Sequence, residues 1–139
     1  MSRSFLLVLA ATVSIVAGCF VMTGPPSGVS LPTPTCGGIK IKIDGALSCE
    51  RVVDIAIGAL RDRAPDQLSR GVAAIDVFLT TCPSGEMPPQ ITCGAERFVQ
   101  MVTVTFAAEP PGGTLEPSLT VAVAPVSGAV LGIANPLVR

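Results

Sequence analysis

From Ser48 to Leu60 the apolar residues recur at helical spacing. Cys49, Val52, Val53, Ala56, Ile57 and Leu60 share one stripe, with Glu50, Arg51, Asp54, Gly58 and Arg61 on the opposite side. Ser48 suits the N-cap position, and Glu50 puts a negative charge in the first turn, where the helix dipole favours it. Pro65 ends the pattern by forcing Ala64 out of helical geometry. A helix this short is marginal alone, so its stripe must lie on another element.

Downstream the period changes from 3.6 to 2. Val72 to Thr81 puts Ala73, Ile75, Val77 and Leu79 on one face and Asp76 on the other. Arg97 to Ala107 sets Phe98, Val102, Val104 and Phe106 against Thr103 and Thr105. Leu119 to Ala124 alternates in the same way, and Pro125-Val126-Ser127-Gly128 turns the chain into a last strand over Ala129 to Ala134. Upstream, Gly38-Ile39-Lys40-Ile41-Lys42-Ile43 alternates as a half-buried strand before an Asp44-Gly45 turn, its lysines suiting a solvated edge. The pattern predicts an α+β fold, with one amphipathic helix packed on an antiparallel sheet of about four to five strands. The outward sheet face, rich in Thr and Ala, is expected to be flat and weakly charged.

The amino terminus follows different rules. Arg3 supplies one charge, Phe5 to Val16 is apolar apart from Thr12 and Ser14, and Val16-Ala17-Gly18-Cys19 closes the run. This segment resembles the signal and lipobox of bacterial lipoproteins. The resemblance implies that residues 1–18 are removed and that Cys19 carries acyl chains such as palmitate. It also implies an extracytoplasmic, lipid-anchored place at the cell membrane. An uncleaved anchor is the rival, since extension to Met22 gives roughly a membrane-spanning length. Each buried methylene contributes about 0.8 kcal/mol, so two acyl chains hold where one binds marginally. Residues 19–35 then form a tether: Phe20 to Thr35 contains four prolines, two glycines and no charge. Residues 36–139 are expected to be a single domain.

Composition narrows the chemistry. Loss of residues 1–18 takes one basic residue, Arg3, from the nine, leaving eight against 10 acidic residues and a net charge of −2. So small a charge points away from nucleic acid. Setting Cys19 aside leaves Cys36, Cys49, Cys82 and Cys93, an even set that reads as two disulfides outside the cytosol, with three pairings open. The loop after Cys82 (Pro83-Ser84-Gly85-Glu86-Met87-Pro88-Pro89) favours Cys82–Cys93. Cys36–Cys49 follows by elimination and requires the chain to turn back near Asp44-Gly45. A metal site is disfavoured, because no two cysteines are closely spaced and the chain has no His.

The last hairpin, Val121-Ala122-Val123-Ala124-Pro125-Val126-Ser127-Gly128-Ala129-Val130-Leu131, resembles the end of a PepSY domain. The family's hairpin carries an acidic residue before the turn and Thr-Gly within it, where this chain has Ala124 and Ser127-Gly128. The resemblance implies a domain that binds or restrains partner proteins outside the cytoplasm, and no catalytic residue carries over.

Without His, imidazole-dependent triads are excluded. Lys40 and Lys42 lack a Ser-x-x-Lys partner, and Gly112-Gly113 precedes no helix that would cradle phosphate. Asp54, Asp62, Asp66 and Asp76 are the acids from which a carboxylate pair would have to come. Glu96-Arg97 beside Cys93 reads as a solvated loop end or a small contact patch. The sequence therefore points to a non-catalytic protein-binding module without a cofactor, its partners being the membrane and an envelope or secreted protein. A structural envelope component without a discrete ligand is the second reading, and a carboxylate-dependent hydrolase the third.

Overall fold

A computed structural model describes residues 30–37, 42–85, 87–108 and 117–135. Seven elements follow in order: β1 (Thr35–Cys36), α1 (Cys49–Arg63), α2 (Pro65–Arg70), β2 (Val72–Thr81), β3 (Phe98–Phe106), β4 (Ser118–Val123) and β5 (Val130–Ala134). The fold is α+β, as the periodicity predicts. The expected signal segment, Cys19 and the first part of the expected tether lie outside the described residues. So do Gly38 to Ile41 of the expected first strand, while Lys42 and Ile43 are in coil.

α1 forms where the stripe predicts. Ser48 Oγ accepts from the Arg51 N–H at 3.3 Å, satisfying one of the first-turn donors that have no partner inside the helix. Its far end differs from expectation. Ala64 leaves helical geometry (φ −141°, ψ 54°), yet Pro65 opens a second helix at once. The pyrrolidine ring lacks an N–H that a first-turn position does not need, and its fixed φ suits helix entry. The one predicted helix is thus two, meeting at an elbow.

The sheet has strand order β1-β2-β3-β4-β5. β2 to β5 are antiparallel neighbours, whereas β1 pairs parallel to β2, Thr35 opposite Asp76 and Cys36 opposite Val77. The sheet is therefore mixed rather than purely antiparallel, and the end of the expected tether is part of it. The register slips between Val72 and Ala74. In consequence Val72 packs against the core and Ala73, expected to face inward, is exposed.

The helices cover one face. Val52, Ala56, Ile57 and Leu60 from α1 and Leu68 from α2 pack on Ile75, Val77, Val102, Val104, Phe106, Val121 and Val123. Full burial of a side chain such as Leu60 or Phe106 contributes about 1.5–3 kcal/mol. The opposite face corrects the expectation of an open Thr/Ala surface. Val99, Met101, Ala122 and Ala134 are buried there beneath the segment joining β2 to β3, which contributes Cys82 and Ile91. The remainder of that face, with Asp76, Phe78, Thr103 and Thr105, keeps contact with solvent.

Candidate functional site

Four cysteines close two bridges, Cys36–Cys49 (Cα–Cα 6.3 Å) and Cys82–Cys93 (5.6 Å). The first ties the end of β1 to the first residue of α1. Its loop turns at Asp44-Gly45, where Gly45 takes a positive φ of 74°. The Leu47 N–H donates to the Pro125 carbonyl at 2.8 Å, fastening the loop to the β4–β5 turn. That turn is equally tight. Gly128 has φ 74°, and a Cβ there would meet Ile55 Cδ1 at 2.9 Å.

The second bridge lies inside the smaller core. Met87 Sδ is 3.4 Å from Cys82 Sγ and 3.6 Å from Cys93 Sγ, so the thioether fills the loop closed by the disulfide. The Cys82 N–H donates to the Arg97 carbonyl at 2.9 Å and extends the β2–β3 ladder by one rung. Beyond the loop's crest the Thr92 N–H donates to the Leu131 carbonyl at 3.0 Å, so the segment crosses the sheet and reaches its last strand. The crossing is close. A Cβ on Gly132 would come within 2.9 Å of Ile91 Cα and 3.0 Å of the Gln90 carbonyl carbon.

The acids named from sequence are not gathered. Asp54 and Asp62 lie on α1, Asp66 on α2 and Asp76 on β2, all exposed. Arg97 is exposed at the loop end and Glu96 is half-buried; Lys42 is exposed and Lys40 lies outside the described residues. Thr103 and Thr120 pair through their hydroxyls at 3.0 Å on the partly open face. No group of three His, Cys, Asp or Glu side chains suited to a metal ion occurs among the described residues.

A site invisible in the sequence lies where the α1–α2 elbow overhangs the ends of β4 and β5. A cleft of about 350 Å3 is lined by Arg63 and Gln67 from the helices, Leu119 and Ile133 from the strands, Gln90 from the disulfide loop, and Asn135. Gln67 Oε1 itself is turned away from the open cleft, shut off from solvent, and accepts no hydrogen bond among the described residues. Among the described residues, Gln100 Oε1 on β3 is likewise buried without a partner. The cleft needs the elbow, a strand margin and the disulfide loop together, and no periodicity along the chain records that convergence.

No family model matches the chain, and neither the search among curated proteins nor that among solved structures returns a match. Among the described residues, no helix is long and apolar enough to cross a membrane.

Proposed function

We propose that the chain is a lipid-anchored, extracytoplasmic binding domain, tethered through Cys19 and acting on a partner without catalysing a reaction. The observation that carries the reading is the cysteine arithmetic. With Cys19 set aside for acylation, the remaining four form two bridges with none left over. Disulfides of this kind belong to compartments outside the reducing cytosol. The absence of His from the sequence and the dispersal of the exposed acids over α1, α2 and β2 favour binding over hydrolysis.

Metabolic labelling with a palmitate analogue tests the anchor. The parent chain should incorporate label and fractionate with membranes. Cys19→Ala should lose the label and appear as precursor or soluble product. A mature-size Cys19→Ala product that stays on the membrane overturns the anchor. Pull-down with the full chain tests the binding role: saturable retention of an envelope or secreted protein is expected, and association with bulk wall material alone refutes it.

A further inference from the structure

Oxidisable side chains are few in this chain, and the fold gathers two of them in one place. The sequence has no His, Trp or Tyr, and Cys36, Cys49, Cys82 and Cys93 are joined in bridges. Among the described residues this leaves two thioethers, Met87 and Met101, as the groups that take up oxygen most readily. Both belong to the smaller core on the second face of the sheet. They lie at different depths in it. Met101, on β3 between Phe78 and Ala122, is 6% exposed beneath the β2–β3 segment. Met87 is half-buried within that segment, with Sδ 3.4 Å from Cys82 Sγ and 3.6 Å from Cys93 Sγ.

We propose that Met87 is an oxidation site whose conversion to the sulfoxide loosens the cover of the second face and admits oxidant to Met101. The co-reactant is a peroxide, hydrogen peroxide in the simplest case. The thioether lone pair attacks one peroxide oxygen, and an S–O bond forms as the O–O bond breaks. The departing hydroxide takes the proton from the transferred oxygen and leaves as water. Sulfur gives up two electrons and the peroxide accepts them. No prior deprotonation is needed, so accessibility decides which thioether reacts first. The product does not suit the place that Met87 occupies. An apolar sulfur touching both bridge sulfurs becomes a polar S=O group, and a disulfide offers it no hydrogen-bond donor. The new oxygen finds donors in water, which draws the side chain out of the loop it fills. The segment remains tied by the bridge and by the Thr92–Leu131 hydrogen bond, so its crest loosens while its far end holds. Ile91, 7% exposed, and Met101 then lose the packing that excludes solvent. The inner thioether therefore reacts only after the outer one. A methionine sulfoxide reductase acting on Met87 restores the cover. Neither the anchor at Cys19 nor any partner enters this chemistry.

Timed exposure of the full chain to hydrogen peroxide, with peptide mass mapping of each methionine, tests the order. Met87 should oxidise at least about tenfold faster than Met101, and Met101 should show a lag that ends as Met87 sulfoxide accumulates. Met87→Leu keeps an apolar side chain of similar volume and should slow Met101 oxidation by about fivefold or more. Met101→Leu should leave the rate at Met87 unchanged, since the outer site does not wait for the inner one. Parent protein oxidised at Met87 alone should melt at least about 5 °C below untreated protein. Its Ile91 N–H, bonded to the Pro88 carbonyl at 3.0 Å, should exchange faster. Equal rates at the two methionines, or Met101 oxidation as fast in Met87→Leu as in the parent, overturns the proposal. So does a slower Met87 in Met101→Leu, or a singly oxidised parent with unchanged melting and unchanged Ile91 protection. The lag and the singly oxidised parent are read without any substitution, so the order is decided even where a variant fails to fold.

Discussion

Gly132→Ala tests whether the sheet is covered on both faces. Gly132 lies on β5 opposite Ala122, beneath the crossing of the β2–β3 segment. An added Cβ would sit 2.9 Å from Ile91 Cα and 3.0 Å from the Gln90 carbonyl carbon, both backbone atoms. The Gln90 carbonyl oxygen is nearer still, and ordinary contact begins at 3.4 Å, so the backbone must withdraw by about an ångström. It is not free to do so. Thr92 is bonded to Leu131 on one side of the crossing, and Cys93 is bonded to Cys82 just beyond it. Overpacking of this kind costs about 1–3 kcal/mol. If the segment lifts instead, Val99 and Met101 lose their cover, at about 1.5–3 kcal/mol for each side chain fully exposed. A loss of about 2 kcal/mol corresponds to a fall of roughly 8–16 °C in melting temperature for a domain near 100 residues. Thermal unfolding measures the total, and amide exchange locates it. The Thr92 N–H, protected by Leu131, should exchange faster in the variant. A melting temperature within 2 °C of the parent, with Thr92 protection unchanged, would refute the second-face packing.

Two further substitutions act on α1 in opposite directions. Gly58→Ala places a methyl group where nothing lies within 4 Å, and should stabilise the fold by about 0.4–1 kcal/mol through helix propensity and a less flexible unfolded chain. Ser48→Ala removes the cap on the Arg51 N–H and should cost about 0.5–1 kcal/mol, the low end for caps because the bond is long at 3.3 Å. Chemical denaturation resolves both signs, and a destabilising Gly58→Ala would show that the helix surface is covered there. Finally, the two bridges span nearly equal sequence separations, 13 and 11 residues, so each restricts the unfolded chain by about 3 kcal/mol. Replacing Cys82 and Cys93 by Ala should nonetheless cost at least about 1 kcal/mol more than replacing Cys36 and Cys49. Cys82 is 7% exposed within the smaller core, whereas Cys36 is exposed. Equal costs in paired denaturation curves would show that the bridge adds nothing to the packing.

How much was legible depended on whether a residue's neighbours are close in the chain. α1 could be read because its stripe and its cap are both local, and Val52, Ala56 and Leu60 are all buried as their spacing requires. β2 to β5 were legible for the same reason. The second face is encoded in β3 itself. Val99 and Met101 are apolar at the positions between Phe98, Gln100 and Val102, so both parities of β3 are largely apolar at that end, the mark of a strand covered twice. Their cover comes from a segment with Pro83, Pro88 and Pro89, whose composition reads as a loop and whose crossing of the sheet depends on the smallness of Gly132. Pro65 misled because the property that ends one helix also starts another. The cleft was beyond reach. Arg63 and Gln67 are separated in sequence from Gln90, Leu119, Ile133 and Asn135, and only the sheet order and the crossing loop bring them together.

The same distinction explains why the first bridge sits where it does. β1 is two residues long and, with the Gly37 N–H bonded to the Val77 carbonyl at 2.9 Å, forms only a brief parallel contact at the edge of the sheet. Such a strand has little hydrogen bonding of its own to resist a pull from upstream. Cys36 passes that load covalently to Cys49, which begins a 15-residue helix whose apolar stripe is buried in the main core. Under the proposed anchoring, a force along the segment from Cys19 therefore reaches α1 and the packed sheet rather than peeling β1 away. A disulfide at the entrance to the domain gives a short edge strand the mechanical hold that its few backbone bonds lack. This is a reason for the bridge independent of its entropic contribution, and it applies only if the chain is held from its amino-terminal side.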